Sequence, residues 1–445
     1  MIPKASDTIF APCTPPGKSG VAVVRVSGTL VPDIVRALAS PSLPPARKLV
    51  HRKLSDPHSG DRVDDALVVH FPAPHSFTGE DVAEFHLHGS RAVLAALLDA
   101  LSGFPGARMA EAGEFARRAF DNGKLDLSRL EGLADLIDSE TSAQRKQALR
   151  LLSGHNEQVF SRLRTQMLGA LATLEGALDF ADESDVPAEA MGQVRELTEG
   201  MAQDISRWLA AAPFSERLRE GFVVAIAGPP NVGKSSLVNA IARREVAIVS
   251  DIPGTTRDAI EVMVDIGGLS VLFIDTAGIR DSSDPIEAMG IARAKEAIAR
   301  ADMTILMTDP ASLPFPLPPV SGSGKFLHVI NKADLFPTAP KSAIGNAGFY
   351  ISIKDNNGIN ELLGYIQKEF FAHSELPEAP IVARARHRRE LENCLAHLRQ
   401  ASQVALPELM AEELRMASQA MGRLTGQVTP EEVLDTLFSR FCIGK

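Results

Sequence analysis

Cysteine is scarce: Cys13, Cys394 and Cys442 are the only three in 445 residues. Three scattered thiols exclude a disulfide framework and a cysteine-based zinc site, and they suit a reducing cytosol. An excess of basic charge is also missing. There are 46 Lys and Arg against 56 Asp and Glu, a formal net charge of −10. That balance argues against broad, non-specific nucleic-acid binding, though not against a local basic patch. No apolar run is long enough to span a bilayer, the start has no charged-then-apolar signal sequence, and no internal repeat is visible. The length suggests two to four domains, and the expected location is the cytoplasm.

What is present is a phosphate loop. Residues 228–235 read Gly-Pro-Pro-Asn-Val-Gly-Lys-Ser, so Gly228, Gly233, Lys234 and Ser235 fit G-x-x-x-x-G-K-[ST]. Glycine lets backbone N–H groups curl around a phosphate, the lysine reaches the outer phosphates, and the serine hydroxyl ligates Mg²⁺. The setting agrees. Phe222–Ala227 is an apolar run of strand character, and Ser236–Ala242 continues as a helix whose N-terminus favours anions.

Three further motifs narrow the nucleotide to guanine. Asp275-Thr276-Ala277-Gly278 follows the apolar Val271–Ile274. An aspartate at that strand end holds the Mg²⁺ shell, and the Gly278 N–H senses a γ-phosphate. Asn331-Lys332-Ala333-Asp334 follows the strand-like Phe326–Ile330; the Asp334 carboxylate accepts two N–H bonds that guanine offers and adenine does not. Gly254-Thr255-Thr256-Arg257-Asp258 lies between, where a switch threonine meets Mg²⁺. Ser352-Ile353-Lys354 is a weak match to the loop that touches guanine O6, and a plain polar turn explains it nearly as well. Each short motif alone is weak, and Asp275–Gly278 alone could be an ordinary strand-to-turn transition, but the four in this order point to a GTPase of Ras-like architecture. The expected nucleotide set is Asn231, Val232, Gly233, Lys234, Ser235, Ser236, Ser250, Thr255, Thr256, Asp275, Thr276, Ala277, Gly278, Asn331, Lys332, Asp334 and Ser352, with Mg²⁺ on Ser235 and Thr256. Ile279 stands where Ras-type enzymes place a water-orienting glutamine. An apolar side chain cannot orient water, so either an activating protein or a cation-assisted mechanism is required.

Around this domain, placed at 220–372, the pattern is mixed and then helical. Residues 1–120 read as a compact α+β domain, with strand-like Val21–Val26, Ala66–Phe71 and Val82–Leu87 and a helix over Ala92–Leu101. Residues 121–219 read as helix through Leu130, Leu133 and Ile137, then Gln158–Leu178 and Glu189–Leu209. Helix returns over 373–445: Leu391, Leu395 and Leu398 share a face, and Thr429-Pro430-Glu431-Glu432 forms a helix start. Asp309–Gly324, rich in Pro, Ser and Gly, reads as a loop. The expected fold is therefore multidomain, α/β and all-α, with the nucleotide domain inserted into one helical domain built from both flanks.

Several stretches together resemble one family, the tRNA-modification GTPases MnmE, also called TrmE. They are Asp7-Thr8-Ile9, Thr14-Pro15-Pro16-Gly17, Arg25-Val26-Ser27-Gly28, Ser76-Phe77-Thr78-Gly79-Glu80-Asp81, His88-Gly89, Gly113-Glu114-Phe115, Lys124-Leu125-Asp126-Leu127 and the terminal Phe441-Cys442-Ile443-Gly444-Lys445. The resemblance implies an N-terminal folate-binding domain that also dimerises, a discontinuous helical domain and an inserted G domain. It implies a flavin- and NADH-dependent partner, MnmG, in a heterotetramer that adds a carboxymethylaminomethyl-type group to carbon 5 of a tRNA wobble uridine. The one-carbon source implied is 5-formyltetrahydrofolate, held by Arg25, Glu84, Lys124 and Lys445. Without the family, Arg25 and Glu84 read as a satisfied internal ion pair or as solvated strand charges, and Lys124 as a surface lysine. Cys442 acquires a possible chemical role, though a lone cysteine is usually packing.

The resemblance also fills the gap left by Ile279. Members use K⁺ between the phosphates, which implies an oxygen cage from Asn231, Ser250, Ile252 and Thr255, and G domains that pair across the dimer. Glu287 matches the family's water-orienting glutamate, so the catalytic set is Glu287, Lys234 and Thr256. Arg384, Arg386, Arg388 and Arg389 form a basic cluster that suits either tRNA phosphates or a solvated helix face. The alternative function is a regulatory ribosome-assembly GTPase without modification activity. That class predicts an appended basic RNA-binding domain, which the sequence lacks.

Overall fold

The structure, a computed structural model, describes residues 7–39, 42–179, 186–244, 261–276, 296–310, 325–335, 344–345, 348–371, 380–426, 438, 441 and 444. In chain order the first elements are β1 (Thr8–Pro12), β2 (Ser19–Ser27), α1 (Val31–Ala39), β3 (Val50–Ser55), β4 (Arg62–Phe71), β5 (Val82–Gly89), α2 (Arg91–Ser102), β6 (Ala107–Met109) and α3 (Glu114–Asp121). Helices α4 (Leu127–Ile137), α5 (Ser142–Leu152), α6 (His155–Asp179) and α7 (Val186–Glu220) follow. Next come β7 (Phe222–Ala227), α8 (Lys234–Arg244), β8 (Glu261–Ile266), β9 (Leu269–Asp275), β10 (Met303–Thr308), β11 (Lys325–Ile330), β12 (Ile344–Gly345) and β13 (Gly348–Tyr350). The last are α9 (Ile359–Phe371), α10 (Ala385–Gln403) and α11 (Pro407–Thr425). They form two compact units. The first comprises Met1–Ala134, Leu151–Ser161 and Met421–Lys445, the second Asp135–Arg150 and Arg162–Ala420. Among the described residues no helix is long and apolar enough to cross a membrane.

The first unit is built on a six-stranded sheet in the order β3-β4-β5-β2-β1-β6. Its strands alternate as β-branched sequences with one buried face should. Val24 and Val26 of β2 are buried, and they join Phe85 and Leu87 of β5 and Val68 of β4 in a core covered by α1 and α2. Arg25 points to the opposite face. Helix α2 starts where Ser90 Oγ accepts hydrogen bonds from the Ala92 and Val93 N–H groups, a side-chain N-cap. Opposite the α1/α2 core, Ile9, Ala11, Ala110 and Phe115 form a smaller cluster with Phe77. Arg118 on α3 is almost fully buried. It donates to the Asp7 carbonyl (3.0 Å) and carboxylate (2.9 Å) and to Glu114 (3.1 Å), fixing α3 against the start of β1.

The second unit carries a seven-stranded sheet in the order β12-β13-β11-β10-β7-β9-β8. The strands from β13 to β9 are parallel, and β8 and β12 add antiparallel edges. Strands β7 and β10 are almost uninterrupted apolar runs because helices cover both faces of a parallel sheet. The parallel order aligns the carboxyl ends of β7, β9, β10 and β11, and ligand-binding loops of such sheets emerge there.

Several boundaries differ from expectation: β4 starts at Arg62 rather than Ala66, and α6 at His155 rather than Gln158. Helix α8 begins at Lys234 rather than Ser236. Helix α7 runs 35 residues to Glu220, past Leu209 and through Pro213. A proline there removes one N–H bond to the Leu209 carbonyl. Packing of Ala212 and Leu218, both buried, and the polar anchors Arg217 and Arg219 outweigh that loss. The Thr429 helix start and residues 311–324 of the expected loop lie outside the described residues.

Candidate functional site

The phosphate loop joins β7 to α8 as the sequence implies. Gly233 has φ of 102°, and a Cβ there would stand 2.6 Å from Asn331 Nδ2. Glycine is therefore required both for the turn and for the approach of the guanine-motif loop. Lys234 is buried, and its ammonium turns back to donate to the Gly228 (2.9 Å) and Pro229 (2.8 Å) carbonyls of its own loop. Burial lowers its pKa, and the nearby Asp275 carboxylate opposes that shift. Ser235 Oγ donates to the Asp275 carboxylate across the β9 end. Two hard oxygen donors at that position fit Mg²⁺, which bound nucleotide brings and which would neutralise phosphate charge there. Thr276 is tied to β7 through its hydroxyl and N–H, both donating to the Ile226 carbonyl.

Asn331 is the tie between three loops. Its Nδ2 donates to the Val232 carbonyl of the phosphate loop (2.8 Å). Its Oδ1 accepts from the Ile353 N–H (3.3 Å). Asp334 accepts from the Ser352 hydroxyl (2.9 Å), so the weakly matching Ser352-Ile353-Lys354 segment does lie beside the guanine motif. Lys332 has a left-handed backbone, φ 60°, and its ammonium lies 2.6 Å from the Asp309 carboxylate. Asp309 was not anticipated as a site residue. The available signal was its place directly after a fully buried parallel strand. Asn231 is present in the loop with φ of 61°. Ser250, Ile252, Thr255, Thr256, Ala277, Gly278 and Glu287 lie outside the described residues.

In the first unit Arg25 and Glu84 face each other across the β2/β5 pair, Nη2 to Oε1 2.9 Å, each about one-fifth exposed. The guanidinium also lies over the Phe77 ring (5.2 Å) and the Phe115 ring (5.7 Å). Lys124 donates to the Pro74 carbonyl (2.9 Å), and Gly79 abuts its stem. The 72–81 segment thus touches both Arg25 and Lys124. Lys445 and Cys442 lie outside the described residues, but Gly444 between them does not. Its carbonyl accepts from the Cys13 thiol (3.1 Å), and a Cβ on it would meet the Pro12 carbonyl at 2.0 Å. Pro12 pairs in register with Val24, next to Arg25, so the tail reaches the same end of the sheet. Cys394 is buried, and burial pushes its thiol up to about 12, so it is packing.

The basic cluster is largely engaged in structure. Arg384 pairs with Asp135 at 2.6 Å, Arg388 with Glu216, and Arg389 approaches Glu390 at 3.7 Å.

Comparison with known proteins agrees with this layout. The family description "GTP-binding protein TrmE N-terminus" matches residues 8–124, and "MnmE helical domain" matches residues 127–442. A "tRNA modification GTPase MnmE" of Rhodopseudomonas palustris (strain BisB5) is 47% identical, covering 99% of this chain and 99% of its own. One of Rhodospirillum rubrum is 46% identical with the same coverage. Among solved structures, Aquifex aeolicus Era bound to GDP and aluminium fluoride is 25% identical, covering 42% of this chain and 69% of its own, at a TM-score of 0.28. Near full-length identity of this kind, with a phosphate loop and guanine motifs assembled at one sheet end, is decisive: the chain belongs to the MnmE family of tRNA-modification GTPases and is a GTP hydrolase.

Proposed function

We propose that this GTPase drives modification of the wobble uridine at carbon 5 in certain tRNAs, as a cytoplasmic homodimer joined through its N-terminal domains. A flavin-dependent MnmG-type partner supplies the redox step, and a tetrahydrofolate one-carbon unit supplies the carbon. The observation that supports it most is the convergence of Arg25, Glu84, Phe77, Lys124 and the Gly444 tail on one end of the first unit's sheet. Planar aromatic and charged groups together suit a folate: a guanidinium or ammonium for its glutamate carboxylates, a carboxylate for the pterin N–H edge. In the G domain, Lys234 is proposed to exchange its loop carbonyls for nucleotide phosphates, while Asp334 selects guanine. The proposed domain limits are 1–120, 121–219, 220–372 and 373–445.

Hydrolysis is proposed to use K⁺ caged by Asn231, Ser250, Ile252 and Thr255, with Glu287 orienting water and Thr256 completing the Mg²⁺ shell. The test has two arms. Mass spectrometry of tRNA nucleosides from cells lacking the protein should show loss of the modified wobble uridine, restored by the wild-type chain and not by Lys234→Ala. Hydrolysis should run faster in K⁺ than in Na⁺ at equal ionic strength, and Asn231→Ala should lose the difference. An unchanged nucleoside profile would sink the modification reading; equal rates in both salts would sink the cation mechanism alone.

A further inference from the structure

β10 and the strand that precedes the guanine motif, β11, are parallel neighbours. Thr308 is in register with Ile330, and the Asn331 N–H donates to the Thr308 carbonyl at 2.8 Å. This register carries the next residue of each strand out of the sheet at the same edge. Asp309 leaves β10 there, with its side chain 11% exposed, and Lys332 leaves β11 two residues past Ile330. Their charged ends meet at 2.6 Å.

Two features make this pair more than an incidental surface contact. The carboxylate is nearly buried, with its side chain 11% exposed, while the lysine side chain is 37% exposed, so the acidic end of the pair is the fixed, shielded one. The lysine backbone is held in the left-handed region, at φ 60°, a conformation that is unfavourable for a non-glycine residue and persists only where neighbours impose it. Here the neighbours are visible. Asn331 is fixed by Val232 and Ile353, and the Ala333 N–H donates to the Ile351 carbonyl at 3.0 Å. The stem of Lys332 is therefore defined at both ends, by an imposed backbone at one and by a buried carboxylate at the other. A lysine stem left to itself samples many rotamers, and ordering it on binding costs entropy. One fixed in advance presents four methylenes as a preorganised wall.

We propose that Asp309 is a positioning residue of the guanine site: it anchors the Lys332 ammonium so that the lysine stem stands as a fixed apolar wall for the purine beside Asp334. This rests on the reading of Asn331–Asp334 as the guanine motif. Asp309 touches no nucleotide in this scheme and acts only through Lys332. Its loss leaves the phosphate loop intact, so it loosens the base without altering the reacting phosphates.

The test uses the full-length protein and a fluorescent N-methylanthraniloyl-GDP. Asp309→Asn should speed release of the nucleotide about tenfold, since interface losses appear mainly in dissociation rates, and should raise KM for GTP while leaving kcat near wild type. Lys332→Met keeps the stem and removes the ammonium; it should release nucleotide as fast as Asp309→Asn, and the double variant should be no faster than either. Asp309→Glu should restore part of the slow release. Unchanged release in Asp309→Asn, a fall in kcat without a change in release, or additive effects in the double variant would each overturn the proposal. If Asp309→Asn fails to fold, Lys332→Met alone decides: wild-type release from that variant overturns it. Asp334→Asn, measured alongside for preference between GTP and XTP, tests the guanine motif itself. A switched preference together with an inert Asp309 rejects the anchor and keeps the motif.

Discussion

In the nucleotide unit the principal cation, Lys234, rests on two neutral carbonyls of its own loop. In the first unit the principal cation, Arg25, already holds a carboxylate, Glu84, at 2.9 Å. The difference sets what each site asks of a ligand. A phosphate replaces neutral acceptors with charged ones, and charge-assisted hydrogen bonds are about twice as strong, so Lys234 is poised to move. Arg25 gains nothing comparable from a lone anion, because one is present. A ligand there must engage the pair as a unit, offering acceptors to the guanidinium and donors to the carboxylate. The nucleotide site stores an unmet attraction; the sheet-end site stores a satisfied one.

Substitutions can break that contrast. The largest effect belongs to Lys234→Ala, which should lower kcat for GTP on the order of 100- to 1000-fold, the loss typical of one charge-stabilising donor, with unfolding by urea unchanged. Steady-state phosphate release checks it. Next comes Asp334→Asn, which should weaken GTP binding roughly 100-fold as two bonds to a charged acceptor are lost, and should strengthen XTP; calorimetry with both nucleotides decides. Glu84→Ala should do the reverse of Lys234→Ala: hydrolysis should stay near wild type while the first unit loses about 1–3 kcal/mol, the cost of leaving the largely buried Arg25 guanidinium without its acceptor. Equal stability in urea would mean that the pair is not structural and would erase the contrast.

The smallest effect is one of pH. Burial alone would push the Glu114 carboxyl up, but hydrogen bonds from Arg108, the Glu111 N–H and Arg118 outweigh it and hold the group below its usual value. A carboxyl held low contributes stability above its unfolded pKa and loses it as pH falls through the folded one. The unfolding midpoint of the wild type should therefore fall as pH drops below about 4.5. Glu114→Gln should show a shallower decline over the same range, measured by denaturant titration at several pH values.

How much of this was legible beforehand depends on chain distance. Gly228–Ser235, Asp275–Gly278 and Asn331–Asp334 are contiguous words whose chemistry is written into their spacing, and the structure brings their described residues together through Lys234, the Ser235–Asp275 contact and Asn331. Arg25 and Glu84 lie 59 residues apart and meet only through the β2/β5 register, which no local pattern specifies. Residues alone left an internal ion pair or solvated strand charges there, and the structure has the ion pair. Asp309 was hidden for the same reason: its partner follows a different strand, 23 residues on. Helix α7 outruns the expected end at Leu209 and continues through Pro213, because packing on both sides of the proline outweighs the lost N–H bond.

Helix α7 ends one residue before β7: only Gly221 separates its last turn from the strand whose far end becomes the phosphate loop. Thirty-five residues at 1.5 Å each make an arm of about 52 Å. A turn of about 5° at that joint moves the outer tip by roughly 4.5 Å. The bonds from Arg217 to Asp302 and from Arg219 to the Ala383 carbonyl act as stays near the fulcrum and set how stiff it is. Over several Debye lengths, each about 8–10 Å in physiological salt, the charge of a phosphate is no longer felt. Leverage through α7 therefore carries farther than the direct field of a phosphate.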